Sequence, residues 1–311
     1  MMSMNYSRKE LERTLKLGAP LLVLDNLEVD AEAGRATGVK MSSIGESHFA
    51  GHFPGQPVLP GVLQVAGMVQ SSQVLFNAMF PGEGDVVLLG LKRVKFRTPV
   101  MPGMMLKVEC ELKGENEDGT VEFMVKNMCE DGKAASSGSV ILGRRTGWYE
   151  PYDTMGANPL SESMSEAESW LDSVAVMKVL PHRYPFLFVD RAYGLDDPAC
   201  VVGYKNVAGS EMFVAATEQS EFVGFLQIEA GAQLGCAALL NQPAMQGKLG
   251  FFMSIDDAVF HRPVLAGSRI WEKISCEQKG NFGIATGQFY VGSELVTEAQ
   301  IKFAIVDKAN S

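Results

Sequence analysis

Two stretches of the chain, Gly61–Phe80 and Gly224–Leu240, are apolar nearly all round over a helical length. Such helices have no solvent face and must be buried on all sides. After each of them come shorter runs that alternate apolar and polar positions with the period of a strand. Examples are "MLKVECELK" (Met105–Lys113), "TVEFMVKNM" (Thr120–Met128), "RIWEKISCEQK" (Arg269–Lys279), "IATGQFYVG" (Ile284–Gly292) and "VTEAQIKFAIV" (Val296–Val306). Earlier strands are expected in "LLVLDNLEV" and "FLFVDRAYGL". A short helix is expected at the head of each half, in "SRKELERTLKL" and "SEAESWLDSVAVMKVL", where Ser165 and Glu168 have capping-box spacing. With about five or six strands for each apolar helix, burial is achieved by wrapping an antiparallel sheet around the helix. The pattern predicts an α+β class.

The pattern occurs twice because the sequence does. "GAPLLVLDN" (Gly18–Asn26) returns as "RYPFLFVDR" (Arg183–Arg191), with Pro20 on Pro185, an offset of 165. "PGVLQVAGMVQ" (Pro60–Gln70) returns as "VGFLQIEAGAQ" (Val223–Gln233), with Gln64 on Gln227, an offset of 163. "VKFRTPVMPG" (Val94–Gly103) returns as "AVFHRPVLAG" (Ala258–Gly267), an offset of 164. Three blocks in one order at a near-constant offset define a tandem duplication. The expected division is one repeat at 1–142, a Gly-, Pro- and Ser-rich linker at 143–165, and a second repeat at 166–311.

Composition narrows the classes. The 311 residues are 46% hydrophobic and 21% charged, as in an ordinary globular protein. No run of some 18 apolar residues is present, so no membrane span is expected. The N-terminus lacks the apolar core of a secretion signal. Five cysteines without CxxC spacing read as reduced thiols of a cytoplasmic protein. A net charge of −10 argues against a nucleic-acid partner.

The chemistry-bearing segment is "FAGHFPGQPVLPGVLQVAGMVQ" (Phe49–Gln70), which sets His52 in a Gly/Pro-rich loop before the first apolar helix. This block resembles the signature of the FabZ/FabA-type 3-hydroxyacyl-[acyl carrier protein] dehydratases, and "LPHRYPFLFVDR" (Leu180–Arg191) resembles the same family's N-terminal signature. The resemblance spans both halves and implies a double hotdog fold. It also implies dehydration of 3-hydroxyacyl thioesters to trans-2-enoyl thioesters, with no metal or cofactor, on substrates delivered by acyl carrier protein. The family pairs a His with a Glu. The first half has Ala66 where that Glu belongs, and the second half has Glu229 there. Counting nine residues back from Gly224, as His52 precedes Gly61, finds Ala215 in the second half. In this family each site takes its His from one subunit and its Glu from the other. The fused pair is therefore expected to hold one complete site, His52 with Glu229, and one empty of chemistry.

His52 is expected to act as base, since imidazole titrates near neutral pH. Glu229 lies in an apolar helix, where burial is expected to raise its pKa and favour a protonated acid. Free N–H groups at a helix start, Pro60–Gly61 or Val223–Gly224, are the expected donors to the thioester oxygen. Phe53, Pro60 and Gly61 are the implied substrate contacts.

Rival readings are plainer. A loop histidine is usually satisfied by backbone, and a buried carboxylate is usually structural. His48 and His52 have the spacing of metal ligands on a helix, but Gly51, Pro54 and Gly55 argue against a helix there. His182 and His261 are expected to be structural. Gln64, Gln70, Gln227 and Gln233 are expected to tie polar atoms across the pair. Lys92, Arg93, Lys95 and Arg97 form a basic cluster suited to an acidic carrier protein, with Arg93, Lys95 and Arg97 on one strand face. The alternatives are a hotdog thioesterase, a coenzyme A hydratase, or a silent acyl-binding module. Acyl chain length, saturation, double-bond isomerisation and oligomerisation beyond the internal pseudo-dimer stay open.

Overall fold

In the computed structural model, residues 3–165, 169–194, 199–245 and 247–307 are described. Glu168, the partner of Ser165 in the expected capping box, lies outside them. The first half comprises β1 (Met4–Ser7), α1 (Arg8–Leu15), β2 (Asn26–Asp30), β3 (Arg35–Met41), α2 (Gly61–Met79), β4 (Asp85–Phe96), β5 (Met105–Glu115), β6 (Val121–Cys129) and β7 (Ala134–Arg145). After α3 (Ser161–Ser165) the second half follows. Its elements are β8 (Ser169–Asp172), α4 (Ser173–Val179), β9 (Arg191–Gly194), β10 (Cys200–Asn206), α5 (Met212–Ala215), α6 (Gly224–Leu240), β11 (Lys248–Phe260), β12 (Arg269–Lys279), β13 (Phe282–Val291) and β14 (Glu294–Asp307).

All the strands join one antiparallel sheet in the order β1-β2-β3-β5-β6-β7-β4-β11-β14-β13-β12-β10-β9-β8. The order reads the same from either edge, so the duplication is also a pseudo-twofold. The halves meet where β4 pairs with β11, from Lys95↔Ser254 to Gly90↔Val259. Helix α2 packs on strands of the first half, α6 on strands of the second, and the two helices touch. The alternation of β5 matches its burial: Leu106, Val108 and Cys110 are inside, while Lys107 and Glu109 are outside. Both helices bury residues around most of their circumference, so neither presents a broad solvent face.

Scaffold hydrogen bonds are duplicated. The Asp25 carboxylate accepts the Met41 amide at 2.6 Å, and Asp190 accepts Asn206 at 2.6 Å. Lys40 pairs with Glu46 as Lys205 does with Glu211. The glutamines do a different job from the one expected. Gln70 bonds Val23 and Leu21, and Gln233 bonds Phe188 and Phe186, each within its own half. Gln64 accepts from Ser136, and Gln227 from Thr297. They fasten each helix to its own surroundings and do not bridge the pair. This also explains why the early strands start late, at Asn26 and Arg191. The preceding backbone, Leu21–Leu24 and Phe186–Phe188, finds its partners on a glutamine side chain and needs no neighbouring strand.

Candidate active site

The loop that carries His52 is shaped by its glycines and by self-bonding. Phe53 and Gln56 exchange backbone hydrogen bonds, and Val58 N–H donates to the His52 carbonyl at 3.0 Å. Gly55 sits at φ 82°, open to glycine without strain. Upstream, Ser47–Ala50 forms one turn of 3-10 helix that stops at Gly51, short of His52. It buries His48, which burial and the Lys40 charge hold down at about 3. Gly51 sits where the halves touch. Its carbonyl accepts the Arg183 N–H at 3.0 Å, and a Cβ there would lie 2.1 Å from the Arg183 carbonyl oxygen. Only glycine lets the His52 loop dock against the "LPHRYPF" segment of the other half.

That docking assembles a cluster from both halves. Donor atoms of His52, His182 and Glu229 all lie within 4.8 Å of one another. His52 Nδ1 donates to the Val58 carbonyl at 2.8 Å, which leaves Nε2 as the free, basic nitrogen. Phe53 stacks on His52 at 3.9 Å between ring centroids and meets His182 edge-on at 4.9 Å. His182 Nε2 is 3.6 Å from Glu229 Oε1, and Gln233 Nε2 donates to the same oxygen at 2.9 Å. Glu229 is 5% exposed, so the carboxyl works in a nearly dry setting.

The electrostatics correct one expectation. Burial pushes Glu229 up, but His182, His52 and the Gln233 amide together outweigh it, and its carboxyl is held below the usual range. Burial and the neighbouring His182 depress His52 to about 4, against the pull of Glu229. In the free protein the imidazole is therefore neutral and the carboxyl ionised. Two imidazoles and a carboxylate are also donors that zinc accepts. Among the described residues this is the one cluster of three that could close on a metal ion.

His182 is the residue the sequence reading assigned to structure and the fold puts in the site. A signal for it existed. Its counterpart by the 165 offset is Leu17, so the duplication breaks there as it breaks at Glu229 and Ala66. His261 sits on the surface beside Glu298, 3.3 Å away. The counterpart of His52 also needs correcting. Ala216 O accepts the Gly18 N–H at 2.7 Å, mirroring Gly51 with Arg183. The residue that follows, Thr217, is thus the mate of His52, and Ala215 is not. The two extra residues of the first-half loop lie after His52.

Pro60 caps α2, its carbonyl accepting Leu63 and Gln64, which leaves the Gly61 and Val62 amides without an intrahelical partner. Phe96 closes on Gly61, where a Cβ would lie 3.0 Å from its ring. All four cluster residues, Lys92, Arg93, Lys95 and Arg97, are exposed. Strict alternation would have turned Lys92 inward with Val94. A bulge between Lys92 and Lys95, with Arg93 at φ 51°, turns it outward. Acids border the patch: Arg93 lies 4.0 Å from Glu122, and Lys92 pairs in register with Asp257.

The chain is similar to known proteins in each half and in its whole fold. Residues 31–139 match the family model of ApeI dehydratase, and residues 180–300 match that of the FabA-like domain. The 3-hydroxyacyl-[acyl-carrier-protein] dehydratase FabZ of Symbiobacterium thermophilum is 41% identical over 136 residues, 96% of that protein and 43% of this chain. The FabZ of Pelotomaculum thermopropionicum is 39% identical over 142 residues, 99% of its length and 43% of this chain. The chain belongs to the FabZ dehydratase family. One FabZ-length unit accounts for under half of it. Among solved structures, the dehydratase domain from the CurJ module of curacin polyketide synthase aligns over 93% of this chain and 97% of its own, at TM-score 0.65 and 12% identity. The dehydratase domain of RzxB from Pseudomonas fluorescens aligns over 91% and 98%, at TM-score 0.61 and 14% identity. At such identities the likeness shows the fold, a double hotdog. No helix among the described residues is long and apolar enough to cross a membrane.

Proposed function

We propose that this chain dehydrates 3-hydroxyacyl thioesters to trans-2-enoyl thioesters at one composite site between its two FabZ-like halves. The observation that carries the reading is the meeting of His52 from one half with Glu229 from the other, donor atoms within 4.8 Å. In this reading each half is a hotdog whose sheet wraps its own central helix, 1–142 and 166–311, joined through 143–165 into an internal pseudo-dimer.

His52 Nε2 takes the Cα proton. Its Nδ1 is already committed to Val58, and the neutral ring is the form that accepts. The electron pair moves towards the thioester carbonyl, whose oxygen gains charge. Helix α2 offers the Gly61 and Val62 amides to that oxygen, and Pro60 and Phe53 shape the approach. The start of α6 lines a different cavity, which favours α2 for this role. The hydroxyl then leaves as water with a proton from the Glu229 side. Glu229 is held ionised in the free protein, so the acid step requires a proton supplied to it, and His182 at 3.6 Å is placed to hand one over. Bond changes balance: one C–H and one C–O bond break, one C=C bond and one water form, and the His52 proton returns to solvent. These steps use only acid, base and hydrogen-bond donors.

The proposed carrier is acyl carrier protein, as the names of the FabZ relatives indicate for those proteins. Lys92, Arg93, Lys95 and Arg97 are the proposed docking patch, on and just past the strand that ends with Phe96 against Gly61. The test is loss of water from 3-hydroxyacyl-carrier protein of several chain lengths, followed by the ultraviolet absorbance of the enoyl thioester. No absorbance from any substrate, with the protein folded, would sink the reading.

A further inference from the structure

The mirror image of the composite site is not filled in. A cavity of about 300 Å³ lies where the pseudo-twofold puts the second cleft. Its walls include Leu17 and Thr217, the mates of His182 and His52, together with Leu21 and Val69. The mate of Glu229 is Ala66, fully buried in the helix core. All three chemical groups are therefore gone, while the cleft they would have served remains at the lower end of ligand-pocket volumes, roughly 300–1,000 Å³.

Two features have been added to it. The linker brings Trp148 and Tyr149 into the wall, and Tyr149 O–H donates to Glu221 Oε2 at 3.1 Å. Burial raises the Glu221 carboxyl to about 7. Three residues later α6 begins. Val223 O accepts Leu226 and Gln227, leaving the Gly224 and Phe225 amides without an intrahelical partner on the cavity wall. The two unpaired amides on this wall can donate to a carbonyl oxygen, beside an apolar wall of Leu17, Leu21, Val69 and Phe225.

We propose that this second cleft binds an acyl thioester through its carbonyl oxygen and holds it without reaction. The inference rests on the dehydratase reading for the ligand class, and on the cavity for the site. It gives the chain two acyl sites, one that turns over and one that only binds.

The probe is octanoyl-pantetheine, which has no 3-hydroxyl and cannot be dehydrated. Equilibrium dialysis of labelled probe against the full chain is expected to give two bound per chain. Val69→Trp, which fills the cavity, and Leu17→Trp, which blocks its rim, are each expected to reduce this to one. Dehydration of 3-hydroxyoctanoyl-pantetheine by the same variants is expected to stay within about twofold of wild type. Two independent variants guard against misfolding, which circular dichroism melts would reveal. One probe per wild-type chain, or two per chain in both folded variants, would overturn the proposal. If wild type binds two probes but never dehydrates the hydroxy substrate, the dehydratase reading fails and the second site stands.

Discussion

Gln70 and Gln233 are pseudo-symmetric mates with different consequences, and replacing each by Leu separates scaffold from chemistry. Both side chains are 1% exposed. Gln70 Oε1 accepts the Val23 amide at 3.0 Å, and its Nε2 donates to the Leu21 carbonyl at 2.8 Å. Gln233 Oε1 accepts the Phe188 amide at 2.8 Å, and its Nε2 donates to the Phe186 carbonyl at 3.0 Å. Leucine in either place strands at least two buried backbone groups, Gln70 also accepting the Leu24 amide at 3.4 Å. At about 1–3 kcal/mol for each, the loss is roughly 2–6 kcal/mol, out of a typical 5–15 kcal/mol for a whole fold. Only Gln233 also donates to Glu229, at 2.9 Å. A hydrogen bond to a charged group contributes about 1.5–3 kcal/mol, which is roughly tenfold to a hundredfold in rate if the bond persists in the transition state. Chemical denaturation and the enoyl absorbance assay on the folded protein read the two effects. Both variants are expected to lose similar stability, and only Gln233→Leu to lose rate. Equal loss of rate per folded molecule in both variants would refute this account of the site.

Further outcomes follow from the same geometry. His52→Ala and Glu229→Gln are each expected to slow dehydration by roughly 10²–10⁴-fold, and the double variant to be little worse, since groups acting as one unit are non-additive; simple multiplication of the two losses would show that they act separately. The acid limb of kcat/KM is expected near pH 4, where His52 gains its proton, and His182→Gln should move that limb upward by removing a cause that depresses His52; an unmoved limb would take His182 out of the site's electrostatics. Because His48 and His52 are depressed in the folded state, the unfolded chain binds protons that the fold rejects, so stability is expected to fall as pH drops from about 6.5 towards 4; urea midpoints at pH 7.5 and pH 5 measure this, and a higher midpoint at pH 5 contradicts it. Lys92→Glu with Arg93→Glu is expected to raise KM for carrier-bound substrate more than for a pantetheine substrate, and equal effects on both would remove the patch from docking.

The sequence carried the helices and the duplication because burial leaves a periodic trace. Gly224–Leu240 reads from pattern alone with the bounds the fold gives it, and α2 ends one residue short of its expected Phe80. His52 and Glu229 were legible through a motif and through its absence from the opposite half. His182 was not, because nothing local distinguishes a histidine next to a carboxylate from one in a loop; only the packing of Gly51 on Arg183 brings it there. The direction of the Glu229 shift was hidden for the same reason. Apolar neighbours on its own helix predict a raised pKa, while the two imidazoles that lower it arrive from other segments of the chain, joined by the Gln233 amide one turn along the same helix. The bulge at Arg93 escaped because alternation cannot register a positive φ in a non-glycine residue.

A duplicated chain supplies its own control for deciding which residues are scaffold. Where both halves must build the same hydrogen bond, the residue recurs: Asp25 with Asp190, Lys40–Glu46 with Lys205–Glu211, Gln70 with Gln233, Gln64 with Gln227. Fold stability depends on each of these twice, so losing either copy leaves buried groups unpaired. Chemistry is needed once for each complete site. Within the titratable cluster the halves disagree at each member: His52 against Thr217, His182 against Leu17, and Glu229 against Ala66. All three disagreements fall on one cluster and its mirror. Thr217 shows that the change is substitution of a role and not decay, since its hydroxyl donates to the Val214 carbonyl at 3.1 Å and accepts the Glu221 amide at 2.6 Å, holding the loop that His52 Nδ1 holds in the other half. What the second half gave up is the free basic nitrogen, and what it kept is the fastening of the loop.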